Sequence, residues 1–233
     1  MVAVIILCGG MGRRVGQNKS LLQLRGKPLL AYVLTTAQEL SGEIVVSIDS
    51  DQDEEAISRI LPRRARIVRD ILPRGGPLLG LLSGLSFVTS THALACPCDT
   101  PFINANVIKH LVRRASGFDA VVPVWPNGYL EPLQSVYRVE AAKTAAIEAI
   151  KHGRLRLSGM IKGLPLVRFI PVDELRSFDP CLSTFFNINT PSDLERAEEM
   201  LEEREGKSPN ETRGPKTSRG SLSEKSDLCD WAL

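Results

Sequence analysis

The sequence predicts an α/β fold, a three-layer sandwich around a mostly parallel sheet, on three observations. Strand-like and helix-like stretches alternate along the first 205 residues. The opening run, Val2 to Leu7, is short, β-branched and continuously apolar, as suits a strand buried on both faces of a parallel sheet. Directly after it come Gly9, Gly10, Gly12 and Gly16, where a loop turns at the carboxyl end of a strand, the usual ligand edge of an open α/β sheet.

The other elements follow in order. Pro28 to Leu40 is expected to be a helix, opened by proline in its first turn and ended by Ser41-Gly42. Glu43 to Ile48 reads as the second strand, and residues 51–61 as a helix with an acidic start and an amphipathic body. Ala65 to Asp70 is a short third strand. Gly76-Pro77 leads a helical run over 78–88 whose repeated glycines imply close packing. His92 to Cys96 is an apolar strand running out into Asp99-Thr100-Pro101, and residues 104–115 form the next helix. Asp119 to Trp125 is a strand, joined through the turn Pro126-Asn127-Gly128 to residues 129–138 as a hairpin-like excursion. Glu140 to Lys151 is an alanine-rich helix and Pro165 to Val172 a late strand. Residues 185–205 pass from an extended piece into a helix capped by Thr190 and opened by Pro191. Residues 206–233 are rich in Gly, Ser, Pro, Thr and charge and lack apolar periodicity until the last few positions. They are expected to be a disordered tail on a domain of residues 1–205.

A chain of 233 residues, 43% hydrophobic, can bury a full core in one domain. A net charge of +2 argues against nucleic-acid binding by bulk charge, while permitting a local basic pocket. The five cysteines are scattered, and Cys8 and Cys96 sit in apolar runs, as small core residues do in a reducing compartment. Cys96-Pro97-Cys98 has no second pair at zinc-ligand spacing, so no structural zinc is expected. The apolar stretch at the amino end has no basic region before it and is too short for a signal or a membrane span. The expectation is a soluble cytoplasmic protein with neither nucleic acid nor membrane as a partner.

Arg13, Arg14 and Lys19 add positive charge to the glycine loop, and the combination predicts a phosphate-binding mouth. Two familiar phosphate loops do not fit. A dinucleotide fingerprint needs a third glycine where Val15 stands, and a P-loop needs its lysine directly after the last glycine, whereas Gln17 and Asn18 separate Gly16 from Lys19-Ser20. What remains is Leu-x-x-Gly-x-Gly-x-Arg, Leu7 to Arg14, followed by Lys19 and Gly26-Lys27-Pro28.

This loop resembles the signature of nucleotidyltransferases with a Rossmann-like GT-A architecture. With "GGPLLGLLSGL", "CPCDTPFI", "EPLQSVY" and "FFNINTPSDLERA" in that order and spacing, the chain is similar, from about residue 2 to about residue 203, to the molybdenum cofactor guanylyltransferase family. The resemblance implies a Mg²⁺-dependent enzyme that joins GMP from GTP to the terminal phosphate of molybdopterin and releases pyrophosphate. GTP and molybdopterin would be its substrates, and it leaves room for molybdoenzyme-maturation proteins as partners.

The residue types suit that chemistry, because joining two phosphates requires positioning and charge neutralisation above all. Arg14 and Lys19 would hold the triphosphate, with the amides of Leu7, Cys8, Gly9, Gly10 and Gly12 along its path; a solvated basic turn is the plainer alternative. Asp99, after a buried strand, would hold Mg²⁺ between phosphate oxygens, or else cap the helix near Asn104 or fix its own turn. The resemblance implies that Asp70 contacts the nucleotide, although by itself it is an acid ending a strand. Where the family pattern carries an asparagine near the base, this chain has Asp49, a carboxylate able to accept from guanine N1–H and the 2-amino group. Gly75, Gly76 and Gly80 resemble the segment that lets the base approach backbone, and also fit helix packing. Asn187 and Asn189 alternate along an extended segment, where they would orient the acceptor or a metal-bound water, or form a turn before Thr190.

Competing readings are a related enzyme using CTP on the same pterin, or an NTP on a sugar phosphate or other small phosphate acceptor. "NINTP" and "EPLQSVY" favour the guanylyl reading. A non-catalytic nucleotide-binding protein and a cofactor-delivery protein using the tail belong to different classes.

Overall fold

Strand β1 (Val2–Leu7) runs through the middle of the sheet with all six residues buried. The computed structural model describes residues 2–9, 19–70 and 75–206. Around β1 stand β4 (Ile44–Ile48), β5 (Ala65–Arg69), β6 (His92–Pro97), β7 (Ala120–Val124), β8 (Ser135–Arg138) and β9 (Val167–Pro171), in the order β5-β4-β1-β6-β8-β7-β9. β8 is antiparallel to both neighbours, and every other pairing is parallel. Register aligns Leu7 with Ser47 and with Pro97, and Ile48 with Arg69, so four parallel strands end along one edge.

The alternation of β1 divides the core. Val2, Val4 and Ile6 face α1 (Leu29–Leu40) and α4 (Ala105–Arg113). Ala3, Ile5 and Leu7 face α3 (Pro77–Leu85), α5 (Val139–Lys151) and α6 (Leu157–Ile161) on the other side. Helices on both faces make the three layers that the strand–helix alternation predicted. The packing of α3 is close at Gly84, where an added Cβ would lie 2.3 Å from Ile5 Cγ2. Gly76 precedes α3 at φ +75°, a conformation that favours glycine, and Pro77 fills the first helical position.

Several boundaries differ from the sequence reading for local reasons. The first helix starts one residue later than expected: β2 (Gln23–Leu24) and β3 (Lys27–Pro28) form a small hairpin across Arg25 and Gly26, both at positive φ, and Pro28 is the N-cap of α1, which starts at Leu29. The helix expected over 51–61 shrinks to α2 (Glu54–Ser58), because residues 49–52 form a turn and Asp53 caps the helix by accepting from Ala56 N. The excursion after β7 is a hairpin, but residues 129–134 are not all strand. Leu130 bridges back to Val124, and a 3₁₀ turn, Pro132–Gln134, precedes β8. The short helices α6 and α7 (Val172–Leu175) were not foreseen.

Helix α8 (Pro191–Gly206) begins as expected: Asp193 N donates to Thr190 Oγ1 at 3.2 Å, and Thr190 N donates to Asp193 Oδ2 at 2.7 Å, a reciprocal cap. Its Ala197 and Met200 close a satellite core with Leu24, Leu29, Phe102, Phe186 and Ile188. That contact brings the preceding segment, 183–190, back to the ligand edge. The tail expected from 207 onward lies outside the described residues, and no described helix is long and apolar enough to cross a membrane.

Candidate active site

The carboxyl edge of β4, β1 and β6 presents the residues that directly follow each strand. The ladder continues one step beyond it: Cys8 N donates to Ser47 O at 2.8 Å, Cys98 N to Leu7 O at 3.1 Å, and Asp70 N to Ile48 O at 2.8 Å. These bonds hold Gly9, Asp49, Asp70 and Asp99 side by side on rigid backbone. Cys8, Cys96 and Cys98 are buried beneath them, and burial with the neighbouring Cys98 pushes the Cys8 thiol well up. They are core residues rather than nucleophiles.

Lys19, the first residue described after the glycine loop, joins distant parts of the chain. Its Nζ donates to Asp99 Oδ2 at 2.9 Å and to Asn189 Oδ1 at 2.6 Å. Both side chains of the ion pair are largely shielded, at 15% and 14% exposed, so their attraction is less screened than on an open surface. Asp99 also accepts Ile188 N on its backbone carbonyl at 3.0 Å. Its Oδ1 is buried with no hydrogen-bond partner among the described residues. The helix after it is capped instead by Asn104, whose Oδ1 accepts from Asn106 N, so Asp99 is free of the capping role.

The two asparagines diverge. Asn189 is exposed and turns its carbonyl to Lys19, whereas half-buried Asn187 donates its amide to Phe185 O at 2.9 Å and so shapes the local turn. The structure therefore brings Lys19, Asp99 and Asn189 together and sets Asn187 beside them.

A second cluster surrounds Asp70. Ser47 Oγ donates to Asp70 Oδ1. An added Cβ on Gly9 would lie 3.1 Å from Asp70 Oδ2, and one on Gly80 would lie 3.4 Å from both carboxylate oxygens, so the missing side chains leave the carboxylate its room. Burial pushes the Asp70 carboxyl up to about 6, against the Ser47 bond that favours the ionised form, and the charge of Asp49 adds to the rise. Asp49 is itself nearly buried, and its Oδ1 accepts Ser50 N at 2.7 Å. Gln52 was not singled out in the sequence, where it reads only as a polar helix start. It accepts Asp49 N at 2.8 Å and donates to Cys8 O at 2.7 Å, tying two strand ends together. Ser47 likewise reads in the sequence only as a serine within an apolar strand. Gly10, Gly12 and Arg14, expected at this edge, lie outside the described residues.

A lysine, an aspartate and glycines at the carboxyl edge of a parallel sheet suit nucleotide chemistry, and comparison with known proteins decides the family. Residues 4–164 match the model of the MobA-like NTP transferase domain. The chain belongs to that family. It is a nucleotidyltransferase. A Methanosarcina mazei relative named "Probable molybdenum cofactor guanylyltransferase" is 34% identical over 83% of this chain and 88% of its own length. The crystal structure of molybdopterin-guanine dinucleotide biosynthesis protein A from Archaeoglobus fulgidus superposes with a TM-score of 0.75 at 31% identity, covering 87% of this chain and all of that one. The 2-C-methyl-D-erythritol 4-phosphate cytidylyltransferase of Thermus thermophilus, 18% identical with a TM-score of 0.62, covers 86% of this chain and 98% of its own and shares the fold.

Proposed function

We propose that this nucleotidyltransferase transfers GMP from GTP to the terminal phosphate of molybdopterin, forming molybdopterin guanine dinucleotide and releasing pyrophosphate. The convergence of Lys19, Asp99 and Asn189 at the carboxyl edge carries this reading, in a chain whose relatives bear the guanylyltransferase name. A terminal phosphate oxygen of the acceptor attacks the α-phosphorus of GTP. The new P–O bond forms as the α–β bridge breaks, and pyrophosphate leaves with the electron pair. The attacking phosphate is already ionised, so the chain's work is to bring two anions together and offset their repulsion.

Lys19 would neutralise the triphosphate, with Arg14 and the amides of residues 7–12 along its path. Gly76 and Gly80, on the same side as Asp70 and Asp49, would face the donor nucleotide. Asn189 and Asn187 would face the acceptor. Asp99 fits a divalent cation, since a hard carboxylate oxygen is left unpartnered there. Among the described residues no group of three His, Cys, Asp or Glu side chains gathers for a metal, so Asp99 would be joined by phosphate and water oxygens, as Mg²⁺ prefers. Mg²⁺ bound there would supply charge neutralisation between the phosphates.

Pyrophosphate release by the purified protein, with Mg²⁺, molybdopterin and each of the four NTPs in turn, tests the reading. Release with GTP alone is expected. Release with CTP instead would overturn the base assignment, and silence with all four would overturn the acceptor.

A further inference from the structure

The mouth described above uses one side of β6, and the other side carries a polar group of its own. After β7 the chain passes Trp125, turns, and returns with Glu131 N donating to Pro123 O at 3.0 Å. Ser135 pairs with Ala95, which sets the turn Pro132–Gln134 against the end of β6, next to the strand end that carries Asp99 and on the side away from β1. Trp125 Nε1 donates to Glu131 Oε1 at 2.6 Å. The Trp125 ring stands edge-on to Phe185 with centroids 5.9 Å apart, and Phe185 opens the segment that reaches Asn189 four residues later.

Two features of this cluster are unexplained by packing. Glu131 is half-buried, burial pushes its carboxyl up, and Trp125 is its one side-chain partner among the described residues, leaving Oε2 unspent. Gln134 is 1% exposed, yet its Nε2 has no partner among the described residues. Leaving a buried amide without a partner is unfavourable, and a hairpin needing only a stable core would carry an apolar residue there.

We propose that Trp125, Glu131 and Gln134 form the subsite for the acceptor's heterocycle, a 2-amino-4-oxopyrimidine ring of the pterin kind. A carboxylate accepts paired hydrogen bonds from the ring N–H and the exocyclic amino group, the unspent amide of Gln134 matches the ring carbonyl, and the half-buried indole offers a flat apolar surface. Guanine carries the same hydrogen-bonding edge. Position separates the two: Gly9, Asp70 and Gly76 flank β1 on the donor side of Asp99, and Glu131 lies across it. The assignment to the acceptor rests on the guanylyl transfer proposed above.

Pterin and lumazine, which differ in the 2-amino group, serve as probes, with binding to the full chain read from their fluorescence. The wild type is expected to bind pterin about tenfold more tightly than lumazine, the scale of a hydrogen bond to a charged group. Glu131→Gln keeps an acceptor for Trp125 and should abolish that preference. It should also raise KM for molybdopterin about tenfold while leaving KM for GTP unchanged. Trp125→Ala should weaken both probes together. Absence of the preference in the wild type, or its survival in a folded Glu131→Gln protein, would overturn the subsite. A rise in KM for GTP instead would show that Glu131 reads the donor base. A wild type that prefers pterin yet transfers no GMP to molybdopterin would uphold the subsite and overturn the proposed function.

Discussion

The sheet is built differently on the two sides of β6. On one side, β5, β4, β1 and β6 run in the same direction and end in register, so Asp70, Asp49, Gly9 and Asp99 reach the edge because each follows closely where a strand stops. On the other, β8 reverses direction, and the groups at the edge arrive on a returning hairpin and on segment 183–190, which folds back from beyond β9. Position is set by strand length in the first half and by distant packing in the second. Lys19 links them, bonding Asp99 across 80 residues and Asn189 across 170.

Cutting that link should have the largest effects. Asp99→Ala is expected to lower turnover about 10³-fold with little change in melting temperature, because the residue lies at the edge rather than in the core. Turnover preserved in the folded variant would remove Asp99 from the reaction. Lys19→Ala should cost about 10²-fold, roughly 3 kcal/mol of transition-state stabilisation, seen in single-turnover pyrophosphate release. Asn189→Ala withdraws one of two acceptors that aim the ammonium and should cost about tenfold in kcat/KM. In a Lys19→Ala background part of that loss should persist, since Asn189 also faces the acceptor; a loss that vanishes there would mean that the residue acts through Lys19 alone.

The smallest effect concerns the donor side alone. The Asp70 carboxyl is raised to about 6 in the folded chain from an ordinary 3.8, so the folded state binds the extra proton between those values. Stability attributable to Asp70 should therefore rise as pH falls through about 6 and level off near 3.8, and above 6 its ionised form is a standing cost. Asp70→Asn is expected to gain about 1 kcal/mol at pH 7.5, a figure discounted for partial exposure, and to lose most of that advantage by pH 4.5. Denaturant melts of both proteins across this range check it, and parallel pH dependences would place the proton elsewhere.

The two halves were also unequally legible. The continuous apolar run of β1 and the cap at Thr190 are local signals, and the structure follows them closely. Proline suits a helix start and the end of a short hairpin equally well, and Pro28 serves as both: it pairs with Gln23 in a hairpin continued by the bond from Leu29 N to Leu22 O, and it is the N-cap of α1. Asn187 and Asn189 looked equivalent by alternation, yet one spends its amide on Phe185 O and the other faces Lys19. Ser47 and Gln52 carried no signal, because a serine in an apolar strand and a glutamine before a helix are ordinary until a carboxylate or a free carbonyl is set beside them.

Sequence by itself determined the α/β layering and the edge where the strands end, because strand periodicity, glycine and helix capping act within a few residues, and the kind of chemistry followed from the family resemblance of its motifs. The tertiary structure alone decided that Lys19 meets both Asp99 and Asn189, that Ser47 holds Asp70 between two glycines, and that Glu131 leans on Trp125 beyond β6. Most of these contacts join residues 23 to 170 positions apart. Their geometry depends on the register of the whole sheet and on the docking of α8, which short-range patterns do not encode.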